Sequence, residues 1–161
     1  MKMTRIQIAE IAGVISVVLS LLFVAFQIQQ TNQIAIVTAE IETRNNYSDL
    51  NEAMFSDNKL ASLIERASDP EFQPAVGEDT QLRSLAFRFM NIWLVSEIAF
   101  RNGMLPQSSY QIVLDDIKYV LKTEPYMRRY FRLILENYPG WGGTEVVHTI
   151  SKELAANETN T

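Results

Sequence analysis

Four groups of residues in this sequence could do chemistry. The only histidine, His148, has Glu145 three residues before it and Lys152 four after it. Asp115-Asp116 is a carboxylate pair of the type that serves metal binding or acid–base catalysis. Arg128, Arg129 and Arg132 form a basic cluster interleaved with Tyr126 and Tyr130, and arginine clusters suit phosphate and carboxylate groups. Trp141-Gly142-Gly143 places an aromatic ring in a flexible segment, where recognition elements often sit.

Helical spacing weakens each of these. His148 falls well away from the apolar face formed by Val147, Ile150 and Leu154, so it belongs to a solvated face beside its charged neighbours. Adjacent residues on a helix point about 100° apart, so Asp115 and Asp116 do not converge, and both read as solvated, with Asp115 paired to Lys118. Arg132 has Glu136 one turn on. Trp141 can plug a helix–helix turn as readily as it can contact a partner. No nucleophile stands with a base and an orienting group, so no enzyme is expected. No cofactor and no metal site is expected either. Arg128, Arg129, Arg132 and Trp141 stay as candidates for contact with an anion or a protein partner.

With no cysteine in the sequence, disulfides, thiolate catalysis and Cys-based metal sites are excluded. The net charge is −5, and Lys2, Arg5 and Glu10 are the only charges before Glu40. A balance this acidic argues against a nucleic-acid partner, whose phosphates need a basic face, and none is expected.

The elements that position these residues begin with an extreme one. From Ile11 to Ala39 there is no charged side chain. At 1.5 Å per residue, Ile11 to Ile28 makes roughly 27 Å of helix, close to the hydrocarbon thickness of a bilayer. Insertion of the Val, Ile, Leu and Phe residues between Ile11 and Phe26 is worth roughly 3–7 kcal/mol in total. Glu10 lies at the edge, where its penalty falls. A soluble core helix in so small a domain keeps one wet stripe, and this one has none. Lys2 and Arg5 resemble the start of a cleaved signal peptide, with Val37-Thr38-Ala39 a faint cleavage site, but the apolar run is too long for that. An uncleaved transmembrane anchor is therefore expected over 1–30, with membrane lipid as its solvent. Ala12, Ser16 and Ser20, together with Gly13, would let a second helix approach closely in lipid, which points to a homo-oligomer or to docking on other membrane subunits.

After Phe26 the sequence turns polar without charge, at Gln27, Gln29, Gln30, Asn32 and Gln33, and no proline or glycine intervenes before Gly77, apart from Pro70 and Pro74. The helix should continue as a stalk, with Ile34, Val37, Ile41, Leu50 and Met54 as its apolar stripe. Asp57 predicts an N-cap for a helix over 58–67, and Ser68-Asp69-Pro70 an end. Further helices are predicted over 78–102, from Pro106, from Pro125, and from a Thr144 cap. In the 78–102 helix Leu82, Leu85, Ala86, Phe89, Trp93 and Phe100 share one face, widened by Leu94 and Ile98. Tyr138 is expected inward. The fold class is thus all-α: a transmembrane helix, a stalk, and a small antiparallel helical bundle over 31–155, with 156–161 a disordered tail.

The segments IAEIAGVISVVLSLLFVAFQIQQTNQ, NKLASLIERASDPE, RFMNIWLVSEIAFRNGML and WGGTEVVHTISKEL together resemble a group of small bacterial membrane proteins with an N-terminal anchor and a helical domain. The resemblance implies a single-pass protein of the bacterial inner membrane and brings no catalytic residues. Members of that group look basic just after the span, which implies a cytoplasmic domain. Here Gln29 and Gln33 stand at those places, and Lys2 and Arg5 favour a cytoplasmic N-terminus, so the two cues point to opposite sides and the side of the domain stays open. An alternative function is a signalling or stress-response protein that binds a small ligand in its helical domain. That alternative predicts an apolar cavity with Arg128 or Arg132 converging on it.

Overall fold

A computed structural model describes residues 5–69 and 71–158. The chain is all-α, and the described residues contain no strand. The helices are α1 (Arg5–Phe55), α2 (Asn58–Ala67), α3 (Val76–Arg101), α4 (Gln107–Thr123), α5 (Pro125–Asn137) and α6 (Glu145–Glu158), with one 3-10 turn over Pro139–Trp141.

Local side-chain chemistry sets most of these boundaries. Asp57 Oδ1 accepts from the backbone N–H of Lys59 at 2.9 Å and starts α2 where expected. α3 begins at Val76, two residues earlier than the apolar pattern suggests, because Glu78 Oε2 accepts from the Ala75 N–H at 2.9 Å. It ends at Gly103, whose φ of 70° lets the amides of Met104 and Leu105 turn back onto the Ala99 carbonyl. Pro125 occupies the first turn of α5, where its missing N–H costs nothing. Thr144 Oγ1 accepts from the Val147 N–H at 3.2 Å and starts α6. α6 then runs to Glu158, past the residue where the tail was expected to begin; residues 159–161 lie outside the described ones.

α3 is the centre, touching each of the other helices. Trp93 is fully buried, 5.2 Å from the Phe131 ring and 5.4 Å from Phe89. Ile117, Leu121, Met127, Ile134, Val146 and Ile150 complete a filled core. The face of α3 differs from expectation at two positions. Ile98 is 59% exposed and Leu94 only half-buried, while Ser96 and Glu97 are buried instead. Tyr138 is likewise outside, 46% exposed, with its ring edge against Phe87.

α1 is a single helix of 51 residues, about 76 Å long at 1.5 Å per residue. Its second half docks on the domain by the later part of the apolar stripe read from the sequence, Leu50 and Met54, but not by the earlier part. Ile34, Val37 and Ile41 are 59%, 54% and 52% exposed. The docking face consists of half-buried Ala35, Ile36, Ala39, Glu40, Thr43 and Tyr47, followed by buried Leu50 and half-buried Ala53 and Met54. Two alanines let the helix lie close, and two polar tips reach across. Ser109 Oγ donates to Glu40 Oε1 at 2.6 Å, and Tyr47 Oη donates to Asp116 Oδ2 at 3.1 Å. Both pairs are 69 residues apart, so α1 and α4 run parallel in fixed register. The start of α4 therefore lies at the end of the domain from which the apolar half of α1 emerges.

Candidate functional site

The residues singled out in the sequence do not gather in one place. His148 is exposed on α6, as expected. Asp115 accepts from Lys118 Nζ at 2.8 Å and from Gln111 Nε2 at 3.1 Å, and the lysine contact holds its carboxyl below the usual range.

Asp116 is not on the solvated face. It turns inward and accepts from Trp93 Nε1–H at 2.8 Å as well as from Tyr47. Burial raises its pKa, and the two hydrogen bonds oppose that rise. The Tyr47 hydroxyl is pushed far above its ordinary value, first by burial and then by the adjacent carboxylate. This triad joins α1, α3 and α4. Its hydrogen bonds fasten α1 to α3 and α4.

The three arginines diverge. Arg128 Nη1 donates to the Leu121 carbonyl and to Asn157 Oδ1, each at 3.1 Å, which ties the end of α4 to α6. Arg129 lies 3.6 Å from Asp79 Oδ1 and places its guanidinium 5.6 Å from the Tyr130 ring centre. Arg132 is exposed on α5. No anion cradle forms among them.

Trp141 is half-buried, stacked on Tyr138 at 4.8 Å with the rings 12° from parallel. Its carbonyl accepts from Thr144 Oγ1 at 3.0 Å. The segment after it is held by Arg101 Nη2, which donates to the Gly143 carbonyl at 3.2 Å.

Glu97, absent from the sequence reading, is the most deeply placed charge among the described residues. It is 2% exposed and accepts from the backbone N–H groups of Glu145 and Val146 at 2.9 Å each. Arg101, one turn on, completes its ion pair. A carboxylate from α3 thus caps α6 in trans and meets the positive end of its dipole. The signal was available: Glu97 lies one turn beyond Trp93, on the core face of α3.

The grooves are shallow. One of about 190 Å³ lies among Phe72, Leu82, Tyr126, Arg129 and Tyr130. A larger one, about 510 Å³, lies between α3 and α5 at Arg83, Phe87, Leu133 and Tyr138 and opens to solvent. Among the described residues no group of three His, Asp or Glu could hold a metal.

The remaining feature is α1 itself. It is the one described helix long and apolar enough to cross a membrane, and none of its most apolar window is buried. Ala12, Gly13, Ser16 and Ser20 all lie exposed there. The Ser16 and Ser20 hydroxyls donate to the carbonyls one turn before them, at 2.8 Å. A Cβ built on Gly13 would meet nothing within 4 Å, so the chain's own fold does not require glycine at that position. No family model, curated protein or solved structure matches this chain.

Proposed function

We propose that this chain is a single-pass protein of the bacterial inner membrane, anchored by the first half of α1. Its helices α2–α6, arranged as a small antiparallel bundle, serve as an oligomeric scaffold or accessory subunit of a membrane complex. One observation carries the reading. The large apolar residues of α1 from Ile11 to Ile28 are each at least 46% exposed, so none of the described residues covers them. A helix apolar on every side is solvated either by protein or by lipid. A soluble monomer rarely exposes a contiguous apolar patch above a few hundred Å².

The ligand-binding alternative has less support. It needs a cavity with Arg128 or Arg132 at its wall, whereas the core is filled and the grooves described above involve neither residue. Arg128 already has two partners.

The test is extraction of the full chain from bacterial membranes. Alkaline carbonate should leave it in the pellet and mild detergent should release it. A chain that stays dispersed and monodisperse in water without detergent would end the proposal. Proteins that co-purify in detergent would separate an accessory subunit from a self-contained oligomer.

A further inference from the structure

The exposed apolar face of α1 outside the bilayer needs an occupant. Ile34, Val37 and Ile41 project from the helix on the side away from the docking face of Tyr47 and Leu50. They are spaced three and four residues apart, the repeat of a coiled-coil seam. Counting back by the same alternation reaches Gln30 and Gln27, then Phe23, and then Ser20, Ser16 and Gly13. A single strip therefore runs unbroken from the apolar half of α1 to its docked half.

The residue types change along the strip as each solvent requires. Where lipid would surround the helix there is no hydrophobic drive between helices, and small residues that allow close approach favour pairing. There the strip holds Gly13, Ser16 and Ser20. Where water surrounds the helix, burial of apolar surface is the drive. There the strip holds Ile34, Val37 and Ile41. Gln27 and Gln30 fall between, where paired amides can hydrogen-bond.

We infer that this strip is the interface of a parallel dimer, and that its occupant is α1 of a second copy of this chain. The inference rests on the membrane reading above and names the partner of that anchor. Three points select a second copy. The strip is uncharged from Ile11 to Ala39, so identical layers can face each other without repulsion. Glu40, the first charge after it, is turned aside to Ser109. From Gly13 to Ile41 the strip is roughly 43 Å long and at about 10 Å wide offers roughly 400 Å² per copy. The total, about 800 Å², is less than the roughly 1,000 Å² that two proteins meeting in water need, so the pairing depends on the shared membrane that holds both helices side by side. The domain docks on the opposite side of α1, so two copies can pair without collision, and a shared membrane keeps them parallel.

The chain has no cysteine, so single replacements report without background. Ile34→Cys, Val37→Cys, Ile41→Cys and the off-strip controls Gln29→Cys and Asn32→Cys would each be oxidised in native membranes. The three strip positions should give a product of twice the 18.4 kDa chain, roughly five times more abundant than at the two controls, following the heptad period. Val37→Glu in the Ile41→Cys chain should abolish the product. Equal yield at strip and control positions, or a product of another mass, would overturn the dimer while leaving the anchor intact. Carbonate extraction of the same membranes reads the anchor separately, and release by carbonate would remove both.

Discussion

Replacing Glu97 tests the account of the domain's interior. Its carboxylate is 2% exposed and accepts two backbone N–H groups at 2.9 Å, one of them buried. Glu97→Ala leaves both amides at the start of α6 without a partner and opens a void beside Val146. An unmade buried hydrogen bond costs about 1–3 kcal/mol, and the void adds to it. The Arg101 contact contributes under about 1 kcal/mol, because the arginine is more than half exposed. The expected loss is therefore about 3–5 kcal/mol, a large share of the 5–15 kcal/mol typical of a domain. Glu97→Gln keeps one acceptor and should lose about 1–2 kcal/mol. Arg101→Ala should lose least. The assay is urea unfolding of the full chain in mild detergent, followed by tryptophan fluorescence, since Trp93 lies in the core. Hydrogen exchange at the first turn of α6 supplies a local readout. If Glu97→Ala unfolds within 1 kcal/mol of the parent, the carboxylate does not hold α6 and the reasoning fails.

Leu50→Ala should lose about 2–5 kcal/mol and Ile112→Ala under about 0.5 kcal/mol in the same urea assay, since only the first is buried. Gly103→Ala should cost about 1–2 kcal/mol, because its positive φ suits a residue without Cβ, and a melt shows it. The pH dependence has a defined sign. Burial holds the Asp116 pKa above its ordinary 3.8, so its folded form binds a proton more readily than its unfolded form. Its contribution to stability is greatest below that ordinary value and declines as pH rises through the folded pKa. Asp116→Asn should flatten that decline in urea midpoints taken from acid to neutral pH; an unchanged slope would refute the assignment.

The boundaries and caps were legible because they depend on residues within a few positions of one another. Asp57, Gly103, Pro125 and Thr144 each act on backbone in the same turn, and their types announce it. The docking face of α1 was legible only in part. Hydropathy rightly marks Leu50 and Met54, but it also points to Ile34, Val37 and Ile41, which stay exposed, and passes over half-buried Ala39, Glu40 and Tyr47. Glu97 and Asp116 were missed because their partners are distant in the chain. The amides that satisfy Glu97 lie 48 and 49 residues on, and the phenol that reaches Asp116 lies 69 residues before it. Periodicity can place Glu97 on the core face of α3, but what satisfies its charge there is intelligible only once the partner is known. The arginine cluster shows the same limit: spacing along the chain puts the three near one another, but Arg128 reaches α4 and α6 while Arg129 lies towards Asp79 on α3.

A helix that passes from residue 5 to residue 55 without a break has no joint. On the proposed anchoring, bilayer thickness then becomes an angle. Ile6 to Ile28 would be roughly 34 Å long against a hydrocarbon layer of about 30 Å, and a span longer than its layer leans over. A lean of about 10° swings the far end of a rod of about 76 Å by roughly 13 Å. The domain, clasped at Glu40 and Tyr47, turns with the rod, so a thinner or thicker bilayer would aim the same surface in a different direction.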